Sequence, residues 1–191
     1  MTTAVELKRE LRAGIRAERI AMSEDRREEA RTDLTARLID LVRTREARSF
    51  SCFLPTRSEP DTRGLLKWAA SQGIETLLPS SLADGLLEWI SPSGEGTVRG
   101  AHGIDEPLGE PLGPLAIETV DLMLIPAAAV DRRVNRLGWG RGYFDRALAS
   151  MTRRPAVFAV VFDHEVLEHL PTEPHDVPLT GVVTPRRTLR F

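Results

Sequence analysis

Two apolar runs bracket one glycine-rich turn, and this arrangement limits the fold more than any other feature of the chain. Asp121–Pro126 (DLMLIP) and Ala156–Phe162 (AVFAVVF) are almost continuously hydrophobic. A strand with one wet face alternates apolar and polar residues. A strand buried on both faces does not, and parallel sheets covered by helices on each side meet that condition. Between the runs lie a loop at Gly138–Gly142 and a helix over Tyr143–Met151. Strand, loop, helix and strand make a parallel crossover unit. The expected fold is therefore α/β: a layered, mostly parallel sheet flanked by helices.

The rest of the chain supplies further elements. Residues 4–22 read as a helix, with Leu7, Leu11 and Ile15 on one stripe. Ser23 caps a second helix, with Glu24 and Asp25 in its positive first turn. Ala30, Leu34, Leu38 and Leu41 form its apolar stripe, and it ends near Thr44. Ser49–Leu54 is a short strand, Pro55–Asp61 a polar loop, and Thr62–Gln72 a helix stopped by Gly73. Glu75–Leu78 is a strand closed by Pro79, and Leu86–Ile90 an edge strand or hairpin arm. Ser91–Pro114 is rich in Gly and Pro without a period and reads as loop, part of it lining a site. Val166–Leu170 reads as a short helix, Val177–Leu179 as a turn and Gly181–Thr184 as the last strand. A chain of 191 residues with this pattern is expected to form one domain over 1–191, with two N-terminal helices.

Composition excludes several classes. The formal charge of −2 gives no general grip on nucleic acid or an anionic membrane. One cysteine, Cys52, leaves no internal disulfide and no thiolate set for zinc; in an apolar strand it reads as core. The N-terminal 22 residues carry charge every few positions and contain no apolar signal core. A monomeric, cytoplasmic protein acting on small molecules is expected. Of the 26 cationic residues only two are lysines, Lys8 and Lys67. A lysine kept in so arginine-rich a chain suggests a wanted point charge.

The strongest chemical signal is Arg136–Asp145, RLGWGRGYFD. Three glycines alternate over five positions at a strand–helix junction. Glycine admits positive φ and close backbone approach, and a helix start offers free N–H groups to phosphate. The spacing is neither the dinucleotide fingerprint nor a Walker A loop. Asp145 stands in the first helical turn, as a Mg²⁺ carboxylate or as a helix-start residue. Lys8 and Arg12 share a helix face, as a polyphosphate clamp or as a solvated surface. Glu59 follows a strand's C-terminal end, a ligand-binding position in α/β proteins, or is an ordinary loop carboxylate. His102, His164, His169 and His175 show no metal-ligand spacing, and no G-x-S-x-G elbow occurs.

In order along the chain, KRELR at Lys8–Arg12, FLPTRSEPDT at Phe53–Thr62, the strand into Ile125-Pro126, RLGWGRGYFDR at Arg136–Arg146 and LPTEPHDVPLTGVVTP at Leu170–Pro185 resemble the 5-formyltetrahydrofolate cyclo-ligase family, also called 5,10-methenyltetrahydrofolate synthetase. The resemblance implies ATP-dependent closure of 5-formyltetrahydrofolate to 5,10-methenyltetrahydrofolate with Mg²⁺, releasing ADP and phosphate. It implies ATP contacts from Lys8, Arg9, Glu10, Leu11 and Arg12. It implies further ATP contacts from Arg136, Leu137, Gly138, Trp139, Gly140, Arg141, Gly142, Tyr143 and Phe144. Folate contacts would come from Leu54, Glu59, Arg141, Gly142 and Tyr143, and Mg²⁺ carboxylates from Asp145 and Asp176. Lys8, Arg141 and Tyr143 form the implied catalytic set. Trp139 stands where the family varies, and within 84–114 only GIDEP at Gly103–Pro107 matches well. A phosphate-ligand binder and a sugar-phosphate or acyl-CoA enzyme on a similar sheet are the competing classes; a protein-interaction module built on the two N-terminal helices would leave the glycine loop unexplained.

Overall fold

The computed structural model describes residues 3–100, 103–171 and 179–190. Helices α1 (Ala4–Ala21) and α2 (Glu24–Thr44) come first, each started by a hydroxyl cap. Thr3 accepts from the Glu6 N–H and Glu6 reaches back to Thr3, and Ser23 accepts from Arg26. Then follow β1 (Ser49–Ser51), α3 (Arg63–Gln72), β2 (Glu75–Ser81), β3 (Leu87–Arg99), β4 (Asp105–Pro111), a 3₁₀ turn (Pro114–Thr119) and β5 (Leu122–Pro126). The chain continues through β6 (Ala129–Asp131), β7 (Arg136–Leu137), α4 (Tyr143–Ser150), β8 (Ala156–Val160), a 3₁₀ turn (Asp163–Glu165), β9 (Val166–Leu167), β10 (Gly181–Val183) and β11 (Thr188–Arg190).

Eight strands form one sheet in the order β11-β10-β8-β5-β1-β2-β3-β4, and β7-β6-β9 form a small second sheet. The five strands from β10 to β2 are mutually parallel, and the edge pairings are antiparallel. Both apolar runs are buried on two faces. Leu122 and Leu124 of β5, with Phe158 and Val160 of β8, enter a core shared with α2 and α3. Met123 and Ile125, with Val157 and Ala159, enter the opposite core, closed by Leu148 of α4. Burying each such side chain is worth about 1.5–3 kcal/mol, which is why the two runs sit at the sheet's centre.

The strand order creates a crevice. From β1 the chain crosses through α3 to β2 on one side; from β5 it crosses through α4 to β8 on the other. The two crossover helices lie on opposite faces. Where neighbouring parallel strands diverge in this way, their C-terminal ends leave a ligand-sized gap. Here it falls between β1 and β5.

Several local expectations are corrected. Residues 91–99 and 105–111 form a long hairpin of β3 and β4 rather than loop. Most of its side chains are exposed and its register shifts between Pro92 and Thr97, so the sequence carries no alternation there. β2 runs through Pro79. Cys52 N–H donates to Leu77 O, so Leu77 and Pro79 turn their backbone groups toward β1, which has already ended. A missing N–H costs nothing on that side. Val166–Leu170 begins as strand β9, after a 3₁₀ turn, instead of a helix. β6, β7 and β11 were not expected, being two or three residues long. On α1 the buried stripe is Lys8, Ile15 and Arg19 with Leu11 half-buried, while Leu7 is 42% exposed. The expected turn at Val177–Leu179 falls mostly outside the described residues.

Candidate active site

The crevice is a cleft of about 310 Å³. One wall is the segment after β1, with Phe53, Leu54, Thr56 and Glu59; another is the hairpin, with Asp105 and Glu106. The third is the glycine loop and the start of α4: Arg136, Gly138, Trp139, Arg141, Gly142, Tyr143, Phe144 and Asp145. Thus Leu54, Glu59 and most of the expected nucleotide loop meet in one cavity. Leu137 is buried behind it, in a small core with Ile15 and Leu170. Gly140 is exposed and does not line the cleft, but a Cβ added to it would stand 3.5 Å from the Arg12 guanidinium carbon.

The loop's shape depends on its glycines. Gly140 has φ 92° and Gly142 φ 72°, a region L side chains rarely adopt. A Cβ on Gly142 would stand 2.7 Å from an Arg146 guanidinium nitrogen. Gly142 is also the N-cap of α4, and among the described residues no side chain caps the helix there. That is the geometry phosphate uses. Arg146 braces the turn, donating to Gly85 O at 2.8 Å and Arg141 O at 2.9 Å, with its guanidinium over the Tyr143 ring.

Helix α1 packs against this loop with its cationic face. Arg12 Nε donates to Gly138 O at 2.7 Å. Arg16 lies 5.4 Å and Arg19 4.9 Å from the Trp139 ring centre. Lys8 is buried one turn before Arg12. Arg9 and Glu10 are exposed on the other side of the helix, outside the cleft. Lys8 and Arg12 are therefore not a solvated face. Arg16 and Arg19 were missed, although the spacing Lys8, Arg12, Arg16 and Arg19 is a legible helical stripe in the sequence.

Carboxylates around the cleft are held by specific donors. Asp145 pairs with the Arg136 guanidinium, whose side chain is only 5% exposed. Glu59 Oε2 accepts from Thr56 N–H at 2.8 Å across a tight turn. Glu106 takes Ser80 Oγ–H at 2.8 Å and Ser81 N–H at 3.0 Å. Behind the cleft, Asp131 is almost wholly buried and accepts from Arg133 N–H, Asn135 N–H and Nδ2–H, and Leu170 N–H. Burial alone would raise its pKa, but these donors hold the carboxyl below the usual aspartate range. They also hold Val134 at φ 68°, a strained conformation for a β-branched residue, just before Arg136.

Cys52 is buried, and desolvation pushes its thiol up to about 12. It is core, as expected, and no nucleophile. Asp176 lies outside the described residues. An outer bay of about 670 Å³ adjoins the cleft along Thr56, Glu59, Ile104 and Asp105, and Arg27, Arg57 and Arg99 rim it.

Comparison with known proteins identifies the family and the fold. Residues 4–185 match the model of the 5-formyltetrahydrofolate cyclo-ligase family. The chain is 37% identical over 145 residues to a 5-formyltetrahydrofolate cyclo-ligase of Mycolicibacterium smegmatis, covering 73% of this chain and 75% of that one. It is 29% identical over 180 residues to the Escherichia coli K12 enzyme of the same name, covering 91% and 97%. An Aquifex aeolicus 5,10-methenyltetrahydrofolate synthetase superposes with TM-score 0.81 at 29% identity, covering 96% of this chain and 92% of that one. The Mycoplasma pneumoniae synthetase shares the fold, with TM-score 0.76 at 19% identity over 93% and 98% of the two chains. With a family match over nearly its whole length, this chain belongs to the 5-formyltetrahydrofolate cyclo-ligase family.

Proposed function

We propose that the chain, as one domain over 1–191, catalyses the ATP-dependent cyclisation of 5-formyltetrahydrofolate to 5,10-methenyltetrahydrofolate, with release of ADP and phosphate. The observation that carries this reading is that the glycine loop and the Leu54–Glu59 segment, far apart in sequence, line one cleft at the sheet's switch point.

The chemistry suits the residues. A formamide carbon is a poor electrophile and its oxygen a poor leaving group. Transfer of the γ-phosphoryl of ATP to the formyl oxygen breaks the bond to ADP and leaves an iminium-like carbon. The neighbouring folate nitrogen attacks that carbon, loses its proton, and phosphate departs with the former formyl oxygen. Such a transfer needs alignment and charge neutralisation more than a protein nucleophile. Lys8, Arg12, Arg141 and the first N–H groups of α4 are the groups for the triphosphate, and Tyr143 and Phe144 the apolar surface beside it. Leu54 packs on the pterin, and Glu59 accepts from its N–H donors. The folate's glutamate carboxylates extend to Arg57 and Arg99 in the outer bay.

Among the described residues no three acidic or histidine side chains converge. Mg²⁺ in nucleotide sites is held by one or two carboxylates together with substrate phosphates and waters, and Asp145 at the loop's end fits that donor set. Bound there with Asp176, the ion would neutralise phosphate charge. Arg136 keeps the Asp145 carboxylate beside the loop.

The proposal includes a monomeric, cytoplasmic enzyme. Among the described residues no helix is long and apolar enough to cross a membrane. The methenyl product has a longer conjugated system than the substrate, so its absorbance reports turnover. Formation of that absorbance only with ATP and Mg²⁺, with ADP in equal amount, supports the reading. A folate left unchanged under those conditions overturns it.

A further inference from the structure

We propose that Arg19 is a positioning residue for the nucleotide loop, acting through the ring of Trp139. The inference rests on the nucleotide reading of that loop.

Arg19 has no solvent exposure, and neither has its partner Glu165. Burying a guanidinium is costly unless its donors are met. Arg19 Nε and Nη2 bind the two Glu165 oxygens at 2.6 and 2.8 Å, and Nη2 also donates to Ala127 O at 2.9 Å. Glu165 is itself fixed by Phe162 N–H at 2.7 Å. The guanidinium plane is thus set from two places, the turn after β8 and the segment after β5. Its remaining nitrogen, Nη1, is buried without a hydrogen-bond partner among the described residues. Its π-contacts are Trp139 at 4.9 Å and Phe162 at 5.5 Å. Well-packed apolar residues often replace a buried ion pair without loss of stability, so stability alone gives little reason for this one. What the pair does supply is a rigid cationic surface under Trp139.

The loop needs such an anchor. Trp139 is flanked by Gly138 and Gly140, whose backbones have little preference of their own. Arg12 holds the carbonyl of Gly138, and Arg19 with Arg16 holds the ring of the next residue. Two consecutive loop residues are therefore fixed to one helix face before any nucleotide arrives. Pre-ordering a flexible loop removes an entropic cost from binding.

The test uses two full-length variants. Arg19→Met/Glu165→Leu replaces the ion pair with apolar side chains of similar volume, and Trp139→Leu removes the ring. Affinity for a non-hydrolysable ATP analogue is measured by calorimetry, beside the KM values for ATP and 5-formyltetrahydrofolate and the melting curves. Each variant is expected to bind the analogue about tenfold more weakly, with the folate KM changed less than about twofold. The triple variant should be no more than about twofold weaker than either, because both changes break one linkage. Additive losses, an equal rise in folate KM, or unchanged analogue affinity in a folded variant would overturn the proposal. If the pair variant does not fold, Trp139→Leu decides by the same criterion. Analogue binding by the wild type without methenyl product would remove the cyclo-ligase reading and leave this inference standing; no analogue binding by the wild type would remove both.

Discussion

Arg12 Nε and the carbonyl oxygen of Gly138 meet at 2.7 Å, although 126 positions separate them. This contact ties the first helix to the glycine loop that follows β7. A hydrogen bond from a charged group contributes about 1.5–3 kcal/mol. Arg12→Met keeps the apolar stem and loses the donor. The KM for ATP should rise roughly ten- to a hundredfold while the folate KM stays close to wild type. Steady-state kinetics with each substrate varied in turn measures the split, and equal changes in both constants would argue for a general folding defect.

Gly140→Val tests the loop's backbone. At φ 92° a β-branched residue is strained by about 1–3 kcal/mol and its side chain meets the Arg12 guanidinium. Nucleotide binding should fall strongly, and added Mg²⁺ should restore none of it. The melting temperature should fall only by a few degrees, since the loop lies outside the main cores.

Asp145→Asn removes the carboxylate charge and nearly keeps its shape. If Asp145 holds Mg²⁺, the metal concentration for half-maximal rate should rise about tenfold or more, and excess Mg²⁺ should partly recover turnover. Loss of the Arg136 partner alone predicts a lower rate with an unshifted metal curve, because it moves the loop without touching the ion. Turnover against Mg²⁺ concentration separates the two.

Asp131 governs acid stability of the turn that presents Arg136. Its folded pKa lies below the unfolded value of about 3.9, so its contribution is present above that pH and is lost as pH falls through the folded pKa. Asp131→Asn should therefore cost roughly 2–4 kcal/mol at pH 7, by leaving buried N–H donors without a charged acceptor. It should also flatten the loss of stability below about pH 4. Urea unfolding at pH 7 and in acid measures both, and parallel acid limbs would contradict the assignment.

The central strands were legible because burial on both faces leaves no alternation, and Leu122–Ile125 and Val157–Val160 obey that rule residue by residue. The glycine loop was legible because positive φ at Gly140 and Gly142 requires the residue that stands there. The β3–β4 hairpin was not: its exposed ladder places no constraint on side-chain polarity. On α1 the usual hydrophobic rule misled, because the buried face is cationic. Lys8 is buried there, and Arg12 and Arg19 are turned inward by partners on the loop and at Glu165 that are remote in sequence. Asp131 gave no signal either, since its four donors come from a turn and from Leu170.

Oxygen transfer tests the central claim most directly. If the cleft sets the γ-phosphoryl of ATP against the formyl oxygen, that oxygen must leave in the phosphate. 5-Formyltetrahydrofolate labelled with ¹⁸O in the formyl group, turned over with unlabelled ATP in unlabelled water, should yield inorganic phosphate carrying one ¹⁸O for each methenyl product. Unlabelled phosphate, with the ¹⁸O found in water, would contradict the account.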